Sequence, residues 1–392
     1  MEKNITNIHN CFGCGVCATA CGRKIIEIEL NKEGFYEPYI TDENKCTHCG
    51  ICTDVCAFIH SDLALKNKTI SSYGAWSKDH QIRRKCSSGG VGFEVAKILL
   101  GDNYKVCAVR YNVEGERAEH YIASNILELI PSAGSKYIQS YTLDGFKVIN
   151  RKEQYLVTGT PCQIDSFRRY IQRFHCEDNF VLMDFFCHSV PSLYAWKYYC
   201  KLVERKTGKI IYASWRNKHT GWHDSWAMGI DGAIHGEMID WHDSYNVLIR
   251  EKKSFLYSRL SQGDLFYKLF LGDFCCNMAC HKNCRFKYDN SSADIRIGDA
   301  WGTLYENDED GVSAAIAFTQ KGKEILKRTN CVLQEQPFAL IAEGQMTGNA
   351  LKAPLRKVVL WCLKNNTPLY LLKSIMLVSK LIRKINKKFS CK

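Results

Sequence analysis

The chain has 392 residues, 46% of them hydrophobic and 12% aromatic, which allows a sizeable buried core and two or three domains. Seven prolines and 27 glycines without a low-complexity tract exclude a disordered protein. Half of the net charge of +12 comes from Lys380, Arg383, Lys384, Lys387, Lys388 and Lys392, which face no acid near the C-terminus; no nucleic-acid motif accompanies it, so an acidic protein partner, an anionic cofactor tail or an anionic membrane surface is expected rather than nucleic acid.

The chain opens MEKNITNIHN, without an apolar signal segment, and the expected compartment is the cytoplasm. Eight of its 21 cysteines then fall in two runs of one spacing, Cys11-x2-Cys14-x2-Cys17-x3-Cys21 and Cys46-x2-Cys49-x2-Cys52-x3-Cys56. This is the ligand pattern of a two-cluster bacterial ferredoxin, in which three close thiolates wrap one cubane and the fourth reaches the other. Cys11, Cys14, Cys17 and Cys56 are therefore assigned to one [4Fe–4S] centre, and Cys46, Cys49, Cys52 and Cys21 to the second. Zinc, the competing reading, favours pairs of cysteines over two runs of four. Both runs lack the proline that usually follows the fourth cysteine, having Gly22 and Ala57 there.

Between the runs, the insert Arg23–Lys45 (KIIEIEL, then EGFYEPYI) alternates like a small hairpin. Residues 1–60 make the ferredoxin-like module, and 61–85 read as a polar linker. From 86 to 345 the pattern is mixed α/β. Strands are expected at Tyr104–Tyr111, Tyr155–Thr158 and Phe180–Phe186, with helices after Gly90, Pro161 and Pro191. Alternating tryptophans and glycines in Ile210–Met238 suggest a twisted hairpin. Residues 346–392 form a basic tail. Within it Leu369–Ile385 is an amphipathic helix with a stripe of Leu371, Ile375, Val378, Ile382 and Ile385. Lys373 and Lys380 interrupt it, so it does not read as a membrane span; it either packs on the body or docks on a membrane or partner.

Three strand-to-helix junctions carry chemistry. Cys86-Ser87-Ser88-Gly89-Gly90 frees backbone N–H groups to approach an anion or a flavin edge, or is an ordinary cap by Ser88. Gly159-Thr160-Pro161-Cys162-Gln163 puts proline in the first helical turn, Thr160 where it caps or bonds a cofactor, and Cys162 at a positive helix end. Phe186-Cys187-His188-Ser189-Val190-Pro191-Ser192 again ends a strand on a cysteine. Further on, Cys275, Cys276, Cys280 and Cys284 crowd ten residues, a metal-site signal, ahead of Asp294-Ile295-Arg296-Ile297-Gly298-Asp299-Ala300-Trp301-Gly302.

Taken together, Ser88-Gly89-Gly90, Gly159–Gln163, Cys187–Ser192, Cys276–Cys284 and Asp294–Gly302 resemble, in order, the motifs of the coenzyme F420 hydrogenase/dehydrogenase beta-subunit family. The resemblance covers residues 1 to about 305, many members having a ferredoxin module fused in front. It implies an α+β chain: the ferredoxin-like module, then a mixed α/β domain binding FAD and a further [4Fe–4S] cluster. Cys162, Cys187, Cys280 and Cys284 would ligate that cluster, with Cys276 as a substitute. Ser88, Gly89, Gly90, Gly159, Thr160 and Asp299 would contact the flavin. Three positions depart from the family: Ser189 replaces glycine, three residues rather than two separate Cys280 from Cys284, and Ala300 replaces phenylalanine, an exchange expected to widen the flavin pocket.

The resulting expectation is an iron–sulfur flavoprotein oxidoreductase, passing electrons through its clusters to FAD and a small-molecule substrate in polysaccharide or cofactor biosynthesis. Its alternative is an electron-transfer subunit of a hydrogenase or dehydrogenase with no substrate of its own. Either needs a redox partner, a ferredoxin or a dehydrogenase subunit.

Overall fold

The computed structural model describes residues 4–66, 68–233 and 256–390, with side chains of the last helix described to Asn386. In the N-terminal module each cysteine run curls into a short helix, Val16–Ala20 and Ile51–Asp54. Both helices are entered through a glycine in the left-handed region, Gly15 (φ 72°) and Gly50 (φ 78°), where a side chain would be strained. The insert forms the hairpin its alternation predicts: β1 (Ile26–Leu30) pairs antiparallel with β2 (Tyr36–Ile40). Ile26, Ile28 and Tyr36 are buried.

The second region is built on a nine-stranded mixed sheet. It contains β3 (Ser71–Ser77), β4 (Lys105–Asn112), β5 (Arg117–Ala123), β6 (Ser140–Tyr141), β7 (Tyr155–Thr158) and β8 (Phe180–Phe185). A separate antiparallel sheet holds β9 (Ile210–Ser214), β10 (Ala227–Gly232) and β11 (Leu256–Arg259). The large sheet is completed by β12 (Ile295–Asp299), β13 (Ser313–Ala317) and β14 (Cys331–Glu335), in the order β14-β3-β13-β12-β8-β7-β4-β5-β6. Its centre, β12-β8-β7-β4, is parallel. Central parallel strands are covered on both faces and so read as unbroken apolar runs, which is why FVLMDF and YLVT are legible. The helices Val91–Gly101, Pro161–Arg173 and Leu193–Thr207 follow the three junctions. Within Ile210–Met238, β9 and β10 pair antiparallel as the expected hairpin; residues 234–238 lie outside the described residues.

The linker assigned to 61–85 is corrected. It contains β3, inserted between β14 and β13, and the helix His80–Lys85. The strand SSYGAWS lacks an apolar run because its neighbours need small residues: a Cβ on Gly74 would fall 1.9 Å from the Tyr305 hydroxyl. Small side chains packed under a bulky one leave no periodic signature.

The tail is also more than one stripe. Helix Leu369–Ser390 buries Leu372, Met376 and Ser379. With helix Arg356–Lys364 it shares an apolar cluster with Ala195 and Tyr198 of helix Leu193–Thr207. Leu371, Val378 and Ile385 from the expected stripe are exposed, whereas Ile375 packs partly on that cluster. Lys387, Lys388 and Lys392 lie outside the described side chains. Among the described residues no helix is long and apolar enough to cross a membrane.

Candidate redox site

Thirteen cysteines predicted as ligands gather into three neighbourhoods. In the first, burial pushes Cys17 well up, and the like charges of Cys14, Cys56 and Cys11 push it further. Cys11 is likewise raised, by burial and then by Cys14, although the Gly13 N–H donates to its sulfur at 3.3 Å. In the second, burial and then Cys21, Cys49 and Cys46 push Cys52 up to about 11. Cys49 is exposed at the surface. Burial and mutual repulsion favour the neutral thiols and make free thiolates costly here. A bound cationic iron core removes that penalty, so the donor set fits cubanes.

The third neighbourhood is tertiary. Cys162 follows β7 and Cys187 follows β8, and the parallel pairing of these strands places their C-terminal ends side by side. Burial raises Cys162, with Cys280 and Cys187 adding like charge against the lowering contact from Thr160, whose Oγ1 lies 3.2 Å from the sulfur. Cys280 is raised by burial and then by Cys187 and Cys284. The fifth candidate, Cys276, is engaged elsewhere: it accepts a hydrogen bond from Ser189 Oγ at 3.1 Å and donates to the Phe270 carbonyl at 3.5 Å. Thus the unusual serine at 189 holds the spare cysteine. Among the described residues no three His, Cys, Asp or Glu side chains converge as a single metal ion requires. Cubane ligands sit on four different irons and need a wider cage.

The three groups are contiguous. Cys17 and Cys56 feel the charge of Cys52, and Cys162 feels that of Cys14. Phe12, Ala57, Ala279 and Phe286 form an apolar cluster between them, with Cys162 and Cys284 packed against it.

Cys187 opens onto a cavity of about 410 Å³, within the roughly 300–1,000 Å³ typical of ligand pockets. It lies across the C-terminal ends of β7, β8 and β12, where crevices form in parallel sheets. Of the predicted cofactor residues, Ser88, Gly90, Gly159, Thr160 and Asp299 line it. Ser88 does not cap the next helix; its hydroxyl donates to the Val312 carbonyl at 2.7 Å. Gly90, at φ 86°, precedes helix Val91–Gly101. Gly89 does not line the cavity: its N–H donates to Ser313 Oγ at 2.9 Å, and a Cβ there would fall 2.3 Å from the Ala75 carbonyl oxygen. Its role is close packing of chain on chain. The Asp299 carboxylate is taken by Arg216 at 2.8 and 3.1 Å and by the Trp222 indole N–H at 2.8 Å. Ala300 is corrected: it is buried with Trp222, Val312 and Phe318 and does not line the cavity, so its small size does not widen it.

Residues that sequence reasoning missed dominate the electrostatics. Lys136 Nζ donates to the carbonyls of Pro131, Ser132, Ala133 and Gly134 at 2.8–3.0 Å, and burial brings its pKa down to about 7. Lys287 Nζ donates to the carbonyls of Cys187 and His188, each at 2.5 Å. Both line the cavity. Neither has a carboxylate partner among the described residues. With its pKa at about 7 and its donors held by carbonyls, Lys136 is only half charged near neutral pH, so Lys287 is the group that gives the cavity a positive field suited to an anion. The PSAGSKY segment around Lys136 is rich in turn residues, the one signal that would have drawn attention to it. Arg216, stacked 4.8 Å from both Trp226 and Trp301, had no signal at all.

Against this geometry, residues 152–338 match the model for the C terminus of the coenzyme F420 hydrogenase/dehydrogenase beta subunit, and residues 10–58 match a 4Fe-4S dicluster domain. The segment similar to the beta subunit thus lies behind the segment similar to a dicluster domain. No curated protein matches. Among solved structures, a chain of the F420-reducing [NiFe] hydrogenase complex from Methanosarcina barkeri is similar at 17% identity and a TM-score of 0.45, over 84% of this chain and 96% of that one. The match at residues 10–58 supports a 4Fe-4S dicluster module, and the match at 152–338 associates the larger region with oxidoreductases.

Proposed function

We propose that this chain is the electron-transfer subunit of a larger oxidoreductase, taking electrons from a redox partner near Cys49 and delivering them to FAD in the cavity beside Cys187. Continuity carries this reading: the exposed Cys49 neighbours Cys52, Cys52 reaches Cys17 and Cys56, Cys14 reaches Cys162, and Cys187 lines the cavity. When bound, the clusters supply single electrons and the flavin converts them into a two-electron step.

Cys11, Cys14, Cys17 and Cys56 would hold one cluster, Cys21, Cys46, Cys49 and Cys52 the second, and Cys162, Cys187, Cys280 and Cys284 the third. The cavity fits an anionic, aromatic cofactor. Phe93, Val106, Ala108 and Leu129 give it an apolar wall that excludes water, and Lys287 offers positive charge to a pyrophosphate.

A second reading, in which the chain reduces a small molecule of its own, draws on Trp226, Trp301, Gln345 and Met346, which also line the cavity and leave room to recognise a ring beside the flavin.

Anaerobic purification with iron, sulfide and flavin analysis tests the proposal: about twelve irons and one flavin per chain are expected. Eight irons would remove the third cluster, and failure to bind added FAD would remove the cavity's assigned role. Reduction of the bound flavin by a reduced ferredoxin, without turnover until a catalytic partner is added, separates an electron-transfer role from that of a free-standing reductase.

A further inference from the structure

The last helix of the chain has two apolar faces, and only one is covered. Leu372, Met376 and Ser379 are buried on the body. Tyr370 (69% exposed), Leu377 (60%), Leu381 (51%) and Ile385 (53%), with Leu371 and Val378, point away from it. At 100° per residue these exposed side chains occupy one continuous arc, and Lys373, Lys380 and Lys384 border it on one side. The adjoining helix Arg356–Lys364 adds an exposed Trp361 (62%) and Val358, beside Lys357 and Lys364.

Exposed apolar side chains scattered singly need no explanation, but eight on two adjoining helices do. Charge decides the occupant. No Asp or Glu occurs after Glu343, so the whole segment is cationic and repels a second copy of itself. The helix is too polar to cross a bilayer. A long basic border beside Leu, Ile, Tyr and Trp is the composition of a helix lying in the headgroup layer, its lysine stems extended to the phosphates and its aromatic rings at the interface.

We propose that helices Arg356–Lys364 and Leu369–Ser390 seat this protein on an anionic lipid bilayer. The inference rests on this surface alone and stands apart from the flavin reading. Membrane seating would hold the cavity and the exposed Cys49 at a fixed distance from a lipid-embedded partner or donor.

Flotation of the full-length holoprotein tests it, using vesicles of phosphatidylcholine alone or mixed with phosphatidylglycerol. Flotation only with phosphatidylglycerol, falling as salt rises, is expected. Lys373→Glu/Lys380→Glu/Lys384→Glu should weaken partitioning by at least about 100-fold. Leu377→Glu/Leu381→Glu should abolish it, with iron content unchanged because these side chains are exposed. No flotation, flotation kept by either variant, or a dimer in sedimentation that Leu377→Glu/Leu381→Glu dissociates would each overturn the proposal.

Discussion

The backbone N–H of Ala57 donates to Ser166 Oγ at 2.9 Å, tying the residue just after the second cysteine run to the helix that begins at the GTPCQ turn. Cys14 reaches the same hydroxyl at 3.3 Å. The relationship explains a departure visible in the sequence. Ferredoxin runs usually place proline after the fourth cysteine, and proline has no N–H to give. Here that position serves a contact between domains that a free-standing ferredoxin does not make.

Ala57→Pro should accordingly loosen the module from the sheet domain. Ala57 and Ser166 are both fully buried, so a lost bond there costs about 1–3 kcal/mol. Denaturant unfolding of the anaerobic holoprotein checks this. Ser166→Ala makes a second test: with Cys14 ligated, the hydroxyl would donate to its thiolate and favour the reduced cluster. Its loss should lower that cluster's reduction potential by about 20–60 mV, for a bond of about 0.5–1.5 kcal/mol acting on a one-electron couple. Redox titration followed by EPR reads the shift.

Cys162→Ala and Cys284→Ala should each reduce the iron content from about twelve to about eight per chain. Cys276→Ala should leave it at about twelve, because that sulfur is occupied by Ser189 and the Phe270 carbonyl. Iron loss in the Cys276 variant comparable with that in the Cys162 variant would reassign the ligands.

Gly89→Val is a poor probe of cofactor binding, since the new side chain would strike the Ala75 backbone. Val109 is partly exposed on β4, packs against the core cluster around Tyr111 and lines the cavity, so Val109→Trp adds bulk at its wall. Flavin binding should fall by at least about tenfold with iron content retained, as read by absorbance and equilibrium dialysis. Unchanged flavin affinity would place the cofactor elsewhere.

His120 offers a pH-dependent test. Its ring is fully buried, Nε2 donates to the Thr158 carbonyl at 3.0 Å, and burial lowers its pKa from 6.5 to about 4. The unfolded chain then binds a proton that the folded chain refuses, so the contribution is complete above pH 6.5 and is lost as pH falls toward 4. Unfolding free energy should fall by about 2 kcal/mol between roughly pH 7 and pH 5 through this residue. His120→Gln keeps a donor for Thr158 and should flatten that window. An identical pH profile in both proteins would show that His120 titrates freely.

What the sequence by itself determined is what is local. Two spacings of four cysteines specify two cubane cages because the chain between ligands is too short to do anything but wrap. YLVT and FVLMDF announce central strands because burial on both faces demands unbroken apolar residues, and the junctions after them announce a site. Tertiary structure decided the rest. β7 and β8 had to pair in parallel before Cys162 and Cys187 could meet Cys280 and Cys284, which lie about a hundred residues further on. β3 stayed hidden because serine and glycine answer to Tyr305, not to a period. Lys136, Lys287 and Arg216 gained their roles from carbonyls, a carboxylate and indole rings supplied by distant segments, and Ala300 lost its expected one by facing away. Spacing records only contacts made along the chain, whereas pairing register and burial arise from contacts across it.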